Sequence, residues 1–342
     1  MIDRATAGAV YVQTNEADNA VIAFVRAVDG GLTNLGSHAT GGAGDSVAHL
    51  TSQGSVVLTG DGRHLLVTNA ASDDVSLFGV RDDGLDLIGT TKTGGAPKSV
   101  AERDGLVFVL NAGKPSITGF RITDTGLTPV VGADQPLSAA NADPAQVGFT
   151  PDGSTLIVTE RGTDSIVSYA VGMDGTPGMP QAHPSSGPTP YGFAITSGGT
   201  LIVTEAFRAQ KGAAAASSYT VRGIDVTPVT PSVGNGRSEI CWAVISRDDR
   251  YAFTTNFADG AVSRYAIGTD GSLTLEDATA GITVDGRPGL RDEDLTADGA
   301  FLYAIDADAG SIAGWSVSMD GKLSPVGSWG GLPVTVAGLA AV

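Results

Sequence analysis

The side chains able to do acid–base chemistry are few and unevenly placed. A charged run, Arg291-Asp292-Glu293-Asp294, sits where the surrounding pattern calls for the start of a strand. There Asp292 is placed to act as a base or to orient a water, and Arg291 to hold a carboxylate. The competing role for the pair is an ion pair between neighbouring sheets. Glu160 and Glu205 end two apolar runs whose counterparts mostly end in asparagine. Either glutamate would serve as a base, or both bond loop amides and orient strands. Asp292, Arg291, Glu205 and Glu160 are therefore the candidate catalytic residues. His49, Lys98, Gln146, Tyr191, Trp242 and Arg208 are the candidate substrate-binding residues. Lys98 would attract an anion, unless it is a solvated loop lysine. Gln146, Tyr191 and Trp242 would line a pocket by hydrogen bonding and stacking, with core packing the alternative for the two aromatics. His49 lies in a long loop, and Arg208 in a long segment, 206–218, that serves as a lid or is a flexible insertion. Cys241 reads as a buried structural thiol.

The elements that must position these residues recur along the chain. Tyr11-Val-Gln-Thr-Asn15 is followed by Leu65-Leu-Val-Thr-Asn69, Val107-Phe-Val-Leu-Asn111, Leu156-Ile-Val-Thr-Glu160, Leu201-Ile-Val-Thr-Glu205, Ala252-Phe-Thr-Thr-Asn256 and Leu302-Tyr-Ala-Ile-Asp306. A recurrence of about 50 residues matches four short strands with their turns, the size of one propeller blade. The copy around residues 145–176 shows all four: an inner strand to Thr150, the turn Pro151-Asp152-Gly153, a second strand to Glu160, a third from Ser165 to Val171, and the turn Met173-Asp174-Gly175 before an outer strand. Proline fixes φ and glycine takes the strained turn position. The expected fold is all-β: one domain over residues 1–342, a seven-bladed β-propeller. The first copy starts at its second strand, so the apolar segment Val334–Val342 is expected to close the ring as the inner strand of blade one and leave no open sheet edge. Strands alternate in direction. The ends of the second strands and the lead-ins to the inner strands therefore share one face, called upper here, and the candidate residues are expected around the axial opening on that face.

Composition excludes several function classes. The chain has 342 residues, 48 of them glycine, and a formal net charge of -17. No basic stripe is available for phosphate contacts, so nucleic acid is not an expected partner, and an anionic membrane is not either. No stretch is long and apolar enough to span a bilayer as a helix. A single cysteine allows no intrachain disulfide. There is no Gly-x-Ser-x-Gly elbow, no Cys/His set with zinc spacing and no phosphate-binding Gly-rich loop. The expected partner is a small-molecule substrate, without metal or cofactor, acting on a monomer. The expected compartment is the cytoplasm, or the exterior if a leader has been removed.

The Thr150-Pro151-Asp152-Gly153 turn and its partners, the Val-Thr-Asn and Val-Thr-Glu strand ends and the run Ser165-Ile-Val-Ser-Tyr169 resemble the lactonase-type seven-bladed propeller family. That family includes propeller 6-phosphogluconolactonase and 3-carboxy-cis,cis-muconate lactonizing enzyme. The resemblance covers essentially the whole chain. Leu201–Ala206, Cys241-Trp242 and Gly330–Pro333 are similar to an actinobacterial branch of unassigned activity. The resemblance implies hydrolysis or formation of a small lactone, expected to bear a carboxylate, without a required metal. The muconate enzyme's mouth of histidine, arginines and a glutamate does not map residue by residue onto this chain. The alternative is a non-catalytic propeller that binds a ligand or a protein.

Overall fold

The computed structural model describes residues 8–48, 50–283 and 287–342. Among the described residues seven antiparallel sheets follow one another, six with four strands, five of these in sequence order, and one, blade three, with an added short strand. The inner strands of blades two to seven are Val56–Leu58, Pro97–Arg103, Pro144–Phe149, Pro190–Ile195, Ile240–Ile245 and Leu290–Leu295. Blade one takes its inner strand from the far end of the chain: Ala337–Ala341 pairs antiparallel with Gly8–Gln13, Tyr11 opposite Ala340. The ring is thus closed by non-local pairing, and the edge that the first strand would otherwise expose is covered.

The strands form where the pattern calls for them because β-branched and aromatic residues pack between adjacent blades. Val10, Val12 and Phe24 of blade one meet Tyr303, Ile305 and Ile312 of blade seven, all buried. Ile157 and Ile166 of blade four meet Phe193, Leu201 and Tyr219 of blade five. Each such side chain contributes roughly 1.5–3 kcal/mol by leaving water. The inner-to-second-strand turns repeat one device, a hydroxyl donating to an aspartate two residues on. Thr59–Asp61 and Thr150–Asp152 are 2.7 Å pairs, and Ser246–Asp248 matches them at 2.7 Å. These turns lie on the lower face.

A second device shapes the axis. In blades three to seven the register slips at the start of the inner strand, between Pro97 and Ser99, Pro144 and Gln146, Pro190 and Phe193, Ile240 and Trp242, and Leu290 and Glu293. A comparable shift lies around Gly338 in blade one. Each bulge frees one or two residues from the ladder and re-aims them: Lys98, Ala145, Tyr191, Cys241, and the pair Arg291 and Asp292. The residues just before these strands are left-handed, with φ of 45° at Ala96, 44° at Asp143, 61° at Thr189 and 55° at Glu239. Four non-glycine residues in that region, each costing about 1 kcal/mol or more, mark a turn imposed by the ring rather than by local preference.

Candidate functional site

A cavity of about 760 Å³ runs along the axis. Its rim is made by the lower-face turns, Thr59 to Gly62, Thr150 and Pro151, and Ala297, and its inner end by Gln53, Gln146, Asp292 and Glu293. This cavity opens on the face opposite the second-strand ends, not among them as the sequence suggests.

Above it the axis is filled. Gln53 reaches across the channel and pairs with the backbone of Ala243 in both directions, Nε2 donating to its carbonyl at 2.7 Å and Oε1 accepting from its N–H at 3.0 Å. The Trp242 indole N–H donates to the Ser52 carbonyl at 2.8 Å. Tyr191 stacks edge-on against Trp242 at 5.4 Å, and both are buried. Of the two roles open to these aromatics, the structure shows packing. Gln146 repeats the Gln53 device, its amide accepting from Phe193 N–H at 2.6 Å and donating to Phe193 C=O at 3.1 Å. It lines the cavity with its amide already committed to joining blades four and five.

The acidic run of blade seven places three buried carboxyls beside the cavity. Asp292 is 3% exposed and lines the cavity, and its Oδ2 has no hydrogen-bond partner among the described residues. Burial pushes its carboxyl up to about 7, against the pull of the Gly338 N–H, the Arg291 charge and Trp242. Glu293, 4% exposed, leaves both carboxyl oxygens without a partner of normal geometry. Burial raises it well above the ordinary carboxylate range, the Thr255 N–H opposing and the neighbouring Asp294 and Asp292 adding to the rise. Asp294 lies nearer the lower mouth. Its oxygens accept from Leu295 N–H and Ala341 N–H, each at 2.9 Å, and burial again lifts it to about 7. The sequence points to Asp292 through an anomalous charge run at a strand start. The same anomaly contains Glu293 and Asp294, while nothing in the sequence announces Gln53.

The other candidates are dispersed. The Arg291 guanidinium lies 5.3 Å over the Phe257 ring, and desolvation lowers its pKa. Its Nε and Nη1 make no hydrogen bond among the described residues. Lys98 donates to Thr51 Oγ1 at 2.8 Å, beside Arg161, which donates to the same oxygen at 3.1 Å and covers the Tyr191 ring at 5.2 Å. This basic pair lies above the plug, and the sequence does not single out Arg161. Desolvation, then the Arg161 charge, lowers the Lys98 pKa. Glu160 and Glu205 do not face the cavity. Glu160 accepts from the Ser138 N–H at 2.9 Å, the Ser138 hydroxyl and Thr163 Oγ1 at 2.7 Å. Glu205 accepts from Gly187 N–H at 2.8 Å, Ser217 Oγ at 2.5 Å and Ser232 Oγ at 2.6 Å. Both tie loops to strands, the second of the two roles the sequence leaves open. Arg208 is exposed and paired with Asp164, away from the axis. Cys241 is buried and its thiol is raised by desolvation, as befits a packing residue. His49 lies outside the described residues.

Comparison with known proteins adds the following. The profile of a family described as lactonase, 7-bladed β-propeller, matches residues 4–136 and 127–211. No curated protein matches the chain. A structure assigned as a 6-phosphogluconolactonase of Bacteroides fragilis is similar over 99% of each chain, with TM-score 0.76 and 20% identity. The periplasmic gluconolactonase of Pseudomonas aeruginosa is similar over 98% of this chain and 99% of its own, with TM-score 0.76 and 15% identity. At these identities the two structures bear on the fold alone.

Proposed function

We propose a function from one premise: the chain belongs to the lactonase family of seven-bladed β-propellers. The protein opens a small lactone in the axial cavity, with Asp292 as the base. The observation that carries this reading is the buried Asp292 carboxyl at the inner end of the cavity, with one oxygen that accepts no hydrogen bond among the described residues and with burial pushing it up to about 7. A base poised near the working pH can both take a proton and return it.

The step balances on this one group. A water at the inner end of the cavity gives its proton to the Asp292 carboxylate as its oxygen attacks the ring carbonyl. The ring C–O bond then breaks, and the proton on Asp292 passes to the leaving alkoxide. The product is a hydroxy acid. The Gly338 N–H and the Arg291 charge favour the ionised carboxylate and hold the base in place; they are its positioning groups. The plug of Gln53, Tyr191 and Trp242 closes the inner end, so substrate enters and product leaves by the lower mouth.

A panel of small lactones assayed with the wild-type protein and with Asp292→Asn tests this. The wild type opens at least one lactone well above the buffer rate, and Asp292→Asn loses roughly 10²–10⁴-fold in kcat. Turnover undiminished in Asp292→Asn removes the base. No turnover of any lactone by the wild type moves the chain to the ligand-binding reading.

A further inference from the structure

We infer that the cleft between blades six and seven, away from the axis, is a binding site for a small primary amine with an apolar body. The cleft measures about 330 Å³ and shares no described lining residue with the axial cavity. Leu302, Ala304, Ala313 and Trp315 of blade seven pack against Phe253 and Val262 of blade six. Alternation then puts Asp306, at the end of the second strand, and Ser311, its partner on the third, on that same face. Both line the cleft, with Ala313 and Trp315 below them.

The other blades fill this place. In blades two, three and six the residue that ends the second strand donates to a hydroxyl seven positions on: Asn69 to Ser76 at 2.7 Å, Asn111 to Thr118 at 3.0 Å and Asn256 to Ser263 at 2.9 Å. Its own oxygen accepts from Asn19, the Gly94 N–H and Asn235 respectively. Glu160 and Glu205 each receive three close donors. In blade seven the corresponding position is Ala313, which has no hydroxyl. The one hydrogen bond of normal geometry that Asp306 accepts among the described residues comes from the Ala309 N–H, to Oδ1 at 3.0 Å. Thr283 Oγ1 lies beside the carboxyl but makes no such bond. Arg287 and Asp308 are near enough for their opposite charges to act on it. Asp306 is 2% exposed, yet its Oδ2, unlike that of Asp292, is not sealed from solvent. A buried carboxylate short of donors at the end of a cleft is completed by a donor from outside. An ammonium group matches it in charge and in hydrogen-bond sense. The rest of the cleft suits an apolar body: Ala313, Pro325 and the buried Trp315 indole from blade seven, and Ile282 from blade six. Gly281 makes room for the indole, since a Cβ there would lie 3.1 Å from the ring.

Trp315 reports on the cleft. Titration of the wild-type protein with phenethylamine is expected to change the tryptophan emission saturably. Its affinity is expected to be at least tenfold above that of phenethyl alcohol, with phenylpropanoate weakest. Trp315→Phe is expected to remove the emission change, and Asp306→Asn the preference for amine over alcohol. Ala313→Ser restores the hydroxyl of the other blades against Asp306 and narrows the cleft. It is expected to keep the melting temperature and to weaken the amine at least tenfold. Equal affinity for amine and alcohol in the wild type overturns the cationic class. No emission or calorimetric signal with the amine overturns the site. Amine binding undiminished in Ala313→Ser, or an emission change that survives in Trp315→Phe, puts the amine elsewhere and also overturns it. Should Asp306→Asn fail to fold, these measurements still decide.

Discussion

At the scale of single residues, hydrogen-bond partners separate the carboxylates that tie loops to strands from the one proposed as a base. Asp292 and Glu205 are both buried, yet Glu205 receives three close donors and Asp292 keeps an empty oxygen. Glu205→Gln puts an amide N–H₂ against hydroxyl and backbone donors, and is expected to lower stability by about 1–3 kcal/mol in urea unfolding. For Asp292 the base must be ionised, so kcat/KM on an opened lactone is expected to rise with pH and level off above about 7. A flat profile between pH 5 and 8 excludes it. The same shift acts on stability. In the unfolded chain these carboxyls release their protons at about pH 4, whereas folded Asp292 and Asp294 hold theirs to about 7. The native state therefore binds more protons between those values, and stability falls as pH rises through that window. The urea midpoint is expected to be higher at pH 5 than at pH 8, and Asp294→Asn to reduce the difference.

At the scale of elements, the bulges at the heads of the inner strands do what a regular ladder would not. A flat inner strand alternates its side chains between the neighbouring blades. The slip between Leu290 and Glu293 instead releases Arg291 and Asp292 toward the axis. Gly338 is the matching bulge of the closing strand, with φ of 62°. A methyl group there would collide with Ser55 Oγ and lie 2.9 Å from the Val56 nitrogen. The Gly338 N–H is also one of the groups that hold Asp292 ionised. Gly338→Ala combines overpacking with left-handed strain and is expected to cost about 2–4 kcal/mol. If the protein still folds, it should also raise the Asp292 pKa, seen as a pH–rate profile displaced to higher pH. An unchanged denaturation midpoint would show that the closing strand accommodates the methyl.

At the scale of the whole molecule, one pairing between distant parts of the chain completes the ring. Ala337–Ala341 lies against Gly8–Gln13 on one side and supplies the Ala341 N–H to Asp294 of blade seven on the other. Deletion of residues 336–342 is expected to expose an unpaired edge, lower the melting temperature and broaden the single unfolding transition, as followed by circular dichroism. An unshifted melt would mean that the ring holds without its closing strand. The repeat, the seven blades, the turn chemistry and the closing strand were legible in the residues alone, because each rests on local propensity or a period about 50 residues long. The anomaly around Asp292 was legible too, since a charged run at a strand start breaks the pattern, while its role as a base stays a proposal. The direction in which the axis opens was not, and neither was the fate of Gln53, Gln146, Tyr191 and Trp242. Those depend on which side chains from blades two, four, five and six meet at the centre and fill it. Such contacts join residues as far apart as Gln53 and Ala243, at separations where no local pattern carries information, and only the closed ring brings them within hydrogen-bonding reach.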